Sequence, residues 1–115
     1  MVRAEKKSTG ILGGSFDPPH KGHLYISKIA INKIKLDKLF WVIVKKNPFK
    51  NNPLYSLDQR LRFSKKITKN VKKIQVLYLD KAAKSSRTIN TVSYLIKKKK
   101  LKNIYLIINV IFNFQ

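Results

Sequence analysis

The sequence predicts an α/β fold: a parallel sheet with helices alternating between its strands. Short apolar runs alternate with longer amphipathic segments along the whole chain, the connections between them are short, and a glycine pair closes the first apolar run. Strand, helix, strand in repetition implies right-handed crossovers and a sheet covered on both faces. With 115 residues, the chain predicts one domain with a modest core.

The elements follow in order. Residues 9–13 read as the first strand. In residues 20–34, Ile26, Ile29, Ala30 and Ile34 form an apolar stripe at helical spacing. Residues 38–44 are almost continuously apolar, as in a strand buried on both faces. Residues 47–55, with two prolines and three asparagines, read as loop. Ser56 is a good N-cap for a helix marked by Leu57, Leu61, Ile67 and Val71. Residues 74–79 read as a third strand, and a polar loop runs on through Ser85 and Ser86. Residues 88–99, carrying Ile89, Val92 and Ile96, predict a third helix, and residues 104–108 a fourth strand. No internal repeat or linker is evident. Phe40, Trp41, Tyr78 and Tyr105 lie within apolar runs and are expected in the core rather than on a base-stacking platform.

The chemistry concentrates in residues 13–23, GGSFDPPHKGH, which hold both histidines. Gly13 and Gly14 would allow a sharp turn and bring bare N–H groups close to a phosphate. Asp17-Pro18-Pro19 is a turn signal that starts the helix near His20. His20 and His23, three positions apart, then share one face at the helix N-terminus, where free N–H groups and the macrodipole favour an anion. Gly22 between them keeps the approach open.

These residues resemble the GxFDxxHxGH signature of the nucleotidyltransferase superfamily. The double glycine and Asp-Pro-Pro-His are most similar to the bacterial nicotinate-nucleotide adenylyltransferases. The resemblance implies a Rossmann-like parallel sheet with alternating helices, the N-terminal part of a nucleotidyltransferase fold. It also implies adenylyl transfer from ATP to nicotinate mononucleotide, with Mg²⁺ on the phosphates. His20 and His23 are then catalytic, and Gly13, Gly14, Ser15 and Phe16 join them in binding ATP phosphate. Lys50, in a Pro and Lys segment after the second strand, is implied as a phosphate contact. Thr88 and Thr91 match the TxxT segment that binds the nicotinate base, with Arg87 standing where the family often has an aromatic residue. Arg60 matches the start of the family's second helix and is expected to be structural.

The resemblance weakens after about residue 108. Relatives continue with a GxDxL segment and a Ser/Thr and Arg motif that holds ATP, and neither is present here. Residues 1–115 are accordingly expected to form a single, incomplete nucleotidyltransferase domain. The fourth strand would have an open apolar side, so poor solubility or a protein partner supplying the missing half is expected. Two other readings stay open: a different superfamily member of the phosphopantetheine adenylyltransferase or cytidylyltransferase type, and an inactive fragment or basic polyanion-binding protein.

Composition bounds the remaining choices. There are 26 lysines and arginines against 5 acidic residues, a net charge of +21. Such a field attracts polyanions, but the lysines are dispersed among isoleucine and asparagine, as codon bias produces, and nucleic acid is not the expected partner. The chain has no cysteine, which excludes disulfides and thiolate metal sites, and two histidines make a poor zinc set, so no protein-held metal is expected. No export signal or membrane-length apolar run is apparent, and the expected location is the cytoplasm, without a membrane partner.

Overall fold

The computed structural model describes residues 7–46 and 52–107. Its elements are β1 (Thr9–Gly14), α1 (Lys21–Ile34), β2 (Lys38–Ile43), α2 (Leu57–Thr68), β3 (Ile74–Leu77), α3 (Asp80–Ala83), α4 (Thr88–Lys99) and β4 (Ile104–Leu106). The four strands form one parallel sheet in the order β3-β2-β1-β4, with Ile11 opposite Phe40 on one side and Leu106 on the other.

That order decides where the helices lie. The chain steps outward from β1 to β2 to β3, then jumps back across both to β4. Right-handed crossovers in opposite directions put their helices on opposite faces. Period-two alternation follows suit. Leu12, Leu39, Trp41 and Ile43 face a core completed by α1 and α2, through Ala30, Ile31, Leu57 and Leu61. Ile11, Phe40 and Val42 face a second core completed by Val92 and Leu95 of α4. The direction of travel reverses at β1, between β2 and β4, which is where open α/β sheets bind ligands beyond their strand C-termini.

Several boundaries and burials differ from expectation. Ile29 is 39% exposed, because the buried face of α1 is centred on Ser27, Ala30 and Ile31 and Ile29 lies about 200° round from Ser27. Ser27 is fully buried because Trp41 Nε1–H donates to its hydroxyl at 2.9 Å while that hydroxyl donates to the His23 carbonyl at 2.7 Å. Tyr105 is 38% exposed rather than core, since β4 stands at the sheet edge among the described residues; Tyr78 is half-buried. β3 ends at Leu77 because Leu79 leaves strand geometry to cap the short helix α3, inside what reads from sequence as loop. The expected fourth strand is described through its first three residues, and the remainder of its predicted span, beyond residue 107, lies outside the described residues. No helix among the described residues is long and apolar enough to cross a membrane.

Candidate functional site

The site lies at the C-terminal end of β1. A Cβ on Gly13 would stand 2.5 Å from Thr88 Cγ2, so glycine is required there for α4 to close on the strand. Gly14 faces only ordinary contacts with Phe16, and no described glycine has positive φ. The turn that the sequence attributes to the glycines is instead carried by Phe16, with φ 50°. That left-handed backbone is held by burial of the ring, which stacks on Trp41 (centroids 4.8 Å apart) and tilts against His23 at 4.6 Å. At 3% exposure Phe16 is the floor under His23 rather than a face presented to a ligand.

The two histidines cap α1 with each other's help. The Gly22 N–H donates to His20 Nδ1 at 3.0 Å, and the His20 N–H donates to His23 Nδ1 at 3.1 Å, a reciprocal capping box made of imidazoles. A neutral imidazole has one donor and one acceptor nitrogen. With both Nδ1 atoms accepting, the ring protons belong on both Nε2 atoms, and the network itself assigns the tautomers. The rings lie 4.0 Å apart. Two N–H donors are thus fixed side by side at a helix N-terminus. Gly22 is indispensable to this, since a Cβ there would come within 2.8 Å of His20 Cε1.

Burial, and secondarily the adjacent His20, pushes the His23 pKa down to about 4 from 6.5. The ring is therefore neutral at physiological pH and acts as a dipolar donor rather than a cation. Because the unfolded chain binds this proton below pH 6.5 while the folded chain resists it until about pH 4, stability rises with pH across that window and is flat above it. Allowing for partial solvent access, the loss on acidification is about 2 kcal/mol. Urea unfolding of the wild type and His23→Gln at pH 4 and pH 7 checks this: the variant should lose markedly less stability on acidification, and equal losses would remove the assignment.

Buried charges tie the loops around this site together. Arg60, 1% exposed, donates Nη1–H to the carbonyls of Ser15 and Val44 (both 2.9 Å), Nη2–H to that of Lys45 (2.7 Å) and Nε–H to that of Tyr55 (3.0 Å). Burial lowers its pKa, opposed by Asp17 and Asp80; the guanidinium stays charged. The Asp17 carboxylate accepts the Leu54 and Tyr55 N–H groups at 2.6 and 2.8 Å. Arg60 is structural, as expected. Asp17 and Asp80 are the residues the sequence reading underrates, and the signal was their rarity: a chain with 26 basic side chains keeps only 5 acidic ones.

The structure places the expected residues unequally. Gly13 and Gly14 end β1, Ser15 leads on to Phe16 beneath His23, and His23 is paired with His20. Thr88 closes on Gly13, and together with Ile11, Ile89, Val92, Leu106 and Ile107 lines an open cleft of about 390 Å³ between α4 and the β1 and β4 strands. Thr91 does not reach that cleft: it is fully buried, and its hydroxyl donates to the Thr88 carbonyl at 2.9 Å. Lys50 lies outside the described residues. Among the described residues, no group of three or more His, Cys, Asp or Glu side chains is placed to hold a metal ion.

A glycine-containing loop at the switch point of a parallel sheet, followed by paired imidazoles at a helix N-terminus, is an arrangement of the α/β class. The chain belongs to the cytidylyltransferase-like family, whose pattern it matches over residues 11–112. Within that family it is 43% identical over 101 residues to a Pelagibacter ubique protein named "Probable nicotinate-nucleotide adenylyltransferase", covering 88% of this chain and 56% of that one. It is 39% identical over 87 residues to the Brucella suis protein of the same name, covering 75% of this chain and 44% of that one. The chain thus spans about half the length of the curated relatives it matches. Among solved structures it resembles the Plasmodium falciparum nicotinic acid mononucleotide adenylyltransferase complexed with APC, with a TM-score of 0.68, 20% identity, and coverage of 87% of this chain and 49% of that one. A second structure of that enzyme, complexed with NaAD, gives a TM-score of 0.66 at 23% identity, covering 87% and 50%. At those identities the likeness supports the fold.

Proposed function

We propose that residues 1–115 form the nucleotide-binding part of a nicotinate-nucleotide adenylyltransferase domain, which transfers the adenylyl group of ATP to nicotinate mononucleotide in NAD biosynthesis. The observation that carries this reading is the pair of Nε2–H donors that His20 and His23 hold at the N-terminus of α1. An oxygen of the nicotinate mononucleotide phosphate attacks the α-phosphorus of ATP, the bond from that phosphorus to the bridging oxygen breaks, and pyrophosphate leaves with the electron pair. The products are nicotinate adenine dinucleotide and pyrophosphate. Such a transfer asks the protein chiefly for positioning and charge stabilisation, which neutral donors supply.

In this reading His20 and His23 bind the charge developing on the ATP phosphates, while Gly13, Gly14 and Ser15 let the main chain approach them. Phe16 supports His23 from beneath. Thr88 and the first-turn amides of α4 meet the nicotinate carboxylate in the neighbouring cleft, with Thr91 holding Thr88 in place, and Lys50 contacts a phosphate. Mg²⁺ arrives with ATP as part of the substrate, coordinated by its phosphates. The reaction belongs to the cytoplasm, and residues equivalent to the relatives' second half complete the nucleotide grip.

Titration of the 115-residue chain with MgATP and with nicotinate mononucleotide, followed by an assay for nicotinate adenine dinucleotide once that second half is supplied, tests the reading. Binding of both ligands and formation of the dinucleotide are expected. Binding of phosphopantetheine or CTP in place of nicotinate mononucleotide would contradict it, as would salt-dependent nucleic-acid binding that survives loss of both histidines.

A further inference from the structure

Asp80 is buried, at 6% exposure, and nothing in the proposed chemistry uses it. One carboxylate oxygen, Oδ2, accepts both the Lys45 N–H and the Ser86 hydroxyl, each at 2.8 Å. The other, Oδ1, is buried without a hydrogen-bond partner among the described residues. A buried carboxylate with an unsatisfied oxygen is a poor device for stability, since replacing such a group by an apolar one is often neutral or favourable. Its value must lie in what Oδ2 joins.

The two groups on Oδ2 belong to different loops. Lys45 follows β2, and its carbonyl is held by Arg60 Nη2–H at 2.7 Å; the same guanidinium holds the Ser15 carbonyl of the glycine-histidine loop at 2.9 Å. Ser86 leads into α4, whose entry is tightened by Ser85: its hydroxyl oxygen accepts from the Arg87 N–H at 3.1 Å and from Asn90 Nδ2–H at 2.9 Å. A continuous chain of short bonds therefore runs from Ser15 through Arg60, Lys45 and Asp80 to Ser86, two residues before Thr88. At its far end Thr88 closes on Gly13 with no room for a Cβ.

We propose that Asp80 is a positioning residue that sets the start of α4 against the phosphate loop, and so fixes the substrate cleft beside the paired histidines. The proposal rests on the reading above for the identity of the ligand in that cleft. Asp80 bonds to Lys45 and Ser86 and to neither histidine, and Ser86 leads into the α4 side of the cleft, so loss of Asp80 should act chiefly on the acceptor substrate.

The test uses the full chain with Asp80→Ala, Asp80→Asn and Ser86→Ala. The asparagine oxygen can occupy the place of Oδ2 and keep both bonds, with its amide nitrogen at the unpartnered position, so it is the conservative rescue. Asp80→Ala should weaken nicotinate mononucleotide binding about tenfold or more, from two lost hydrogen bonds, with MgATP affinity unchanged within about twofold. Ser86→Ala should show a smaller loss of the same kind, and Asp80→Asn should restore most of the affinity. Amide hydrogen exchange supplies a ligand-free readout: the Lys45 amide and those of the first α4 turn should exchange about tenfold faster in Asp80→Ala while the β1–β2 ladder is unchanged. Equal losses for both ligands, exchange raised evenly across the sheet, or no change in either would overturn the proposal. A wild-type chain that binds MgATP but not nicotinate mononucleotide would sink the functional reading, and the exchange pattern would still decide the role of Asp80.

Discussion

Arg60→Met will leave the chain at the edge of unfolding. Its guanidinium is buried and all three nitrogens donate to main-chain carbonyls, four in total, from the loops after β1 and β2 and from Tyr55. Methionine fills much of the same volume but leaves those acceptors, the Val44 carbonyl buried and the other three part-buried, without donors. Breaking a buried charged network from one side costs about 3 to 5 kcal/mol, a large part of a stability that for a domain totals about 5 to 15 kcal/mol. Arg60→Lys should rescue little, because a single ammonium cannot span a fork of four carbonyls. Arg62, two residues on, is the control: its pair with Asp58 at 3.0 Å is exposed on both sides, and Arg62→Ala should change stability by less than about 0.5 kcal/mol. Urea unfolding followed by circular dichroism measures all three, and a loss below about 1 kcal/mol for Arg60→Met would show that the carbonyls find water instead.

His20→Ala or His23→Ala, in a chain competent for adenylyl transfer, should lower turnover at least about a hundredfold, since removing one preorganised donor to transition-state charge costs roughly 3 to 4 kcal/mol. The fold should survive each change, at a cost of about 1 kcal/mol for the lost half of the capping box. The two variants are not equivalent. His23 also packs against Phe16, so its removal unsettles the floor of the site, whereas His20 is exposed and its removal costs the fold only its share of the cap. Near-normal turnover in either variant would end the assignment.

The framework of this protein is written plainly in its sequence because hydrophobic periodicity is a local signal. Residues 38–44 announce a doubly buried strand, and Ser56 announces the start of α2, which it caps together with Gln59 as a capping box. The histidine pair is equally legible, since spacing and a preceding turn suffice to place it. What escapes are the features that depend on partners distant in sequence. Ser27, which no apolar pattern marks, is buried because Trp41, fourteen residues away, donates to it. Gly13 looks like a flexible turn residue until α4 arrives against it with no space to spare. Asp80 looks like loop polarity until Lys45 and Ser86 converge on one of its oxygens. Tyr105 reads as core because an apolar residue on a strand at the edge of the described sheet has the same local pattern as one in the middle.

The central claim is that both imidazoles present protonated Nε2 atoms from a shared capping box. Long-range ¹H–¹⁵N correlation spectra of the two histidines at neutral pH, before and after addition of MgATP, test it most directly. Both rings should appear as neutral Nε2–H tautomers with acceptor Nδ1 atoms, and nucleotide should perturb the Nε2 resonances of both. A ring protonated at Nδ1, or Nε2 resonances indifferent to MgATP, would contradict the account.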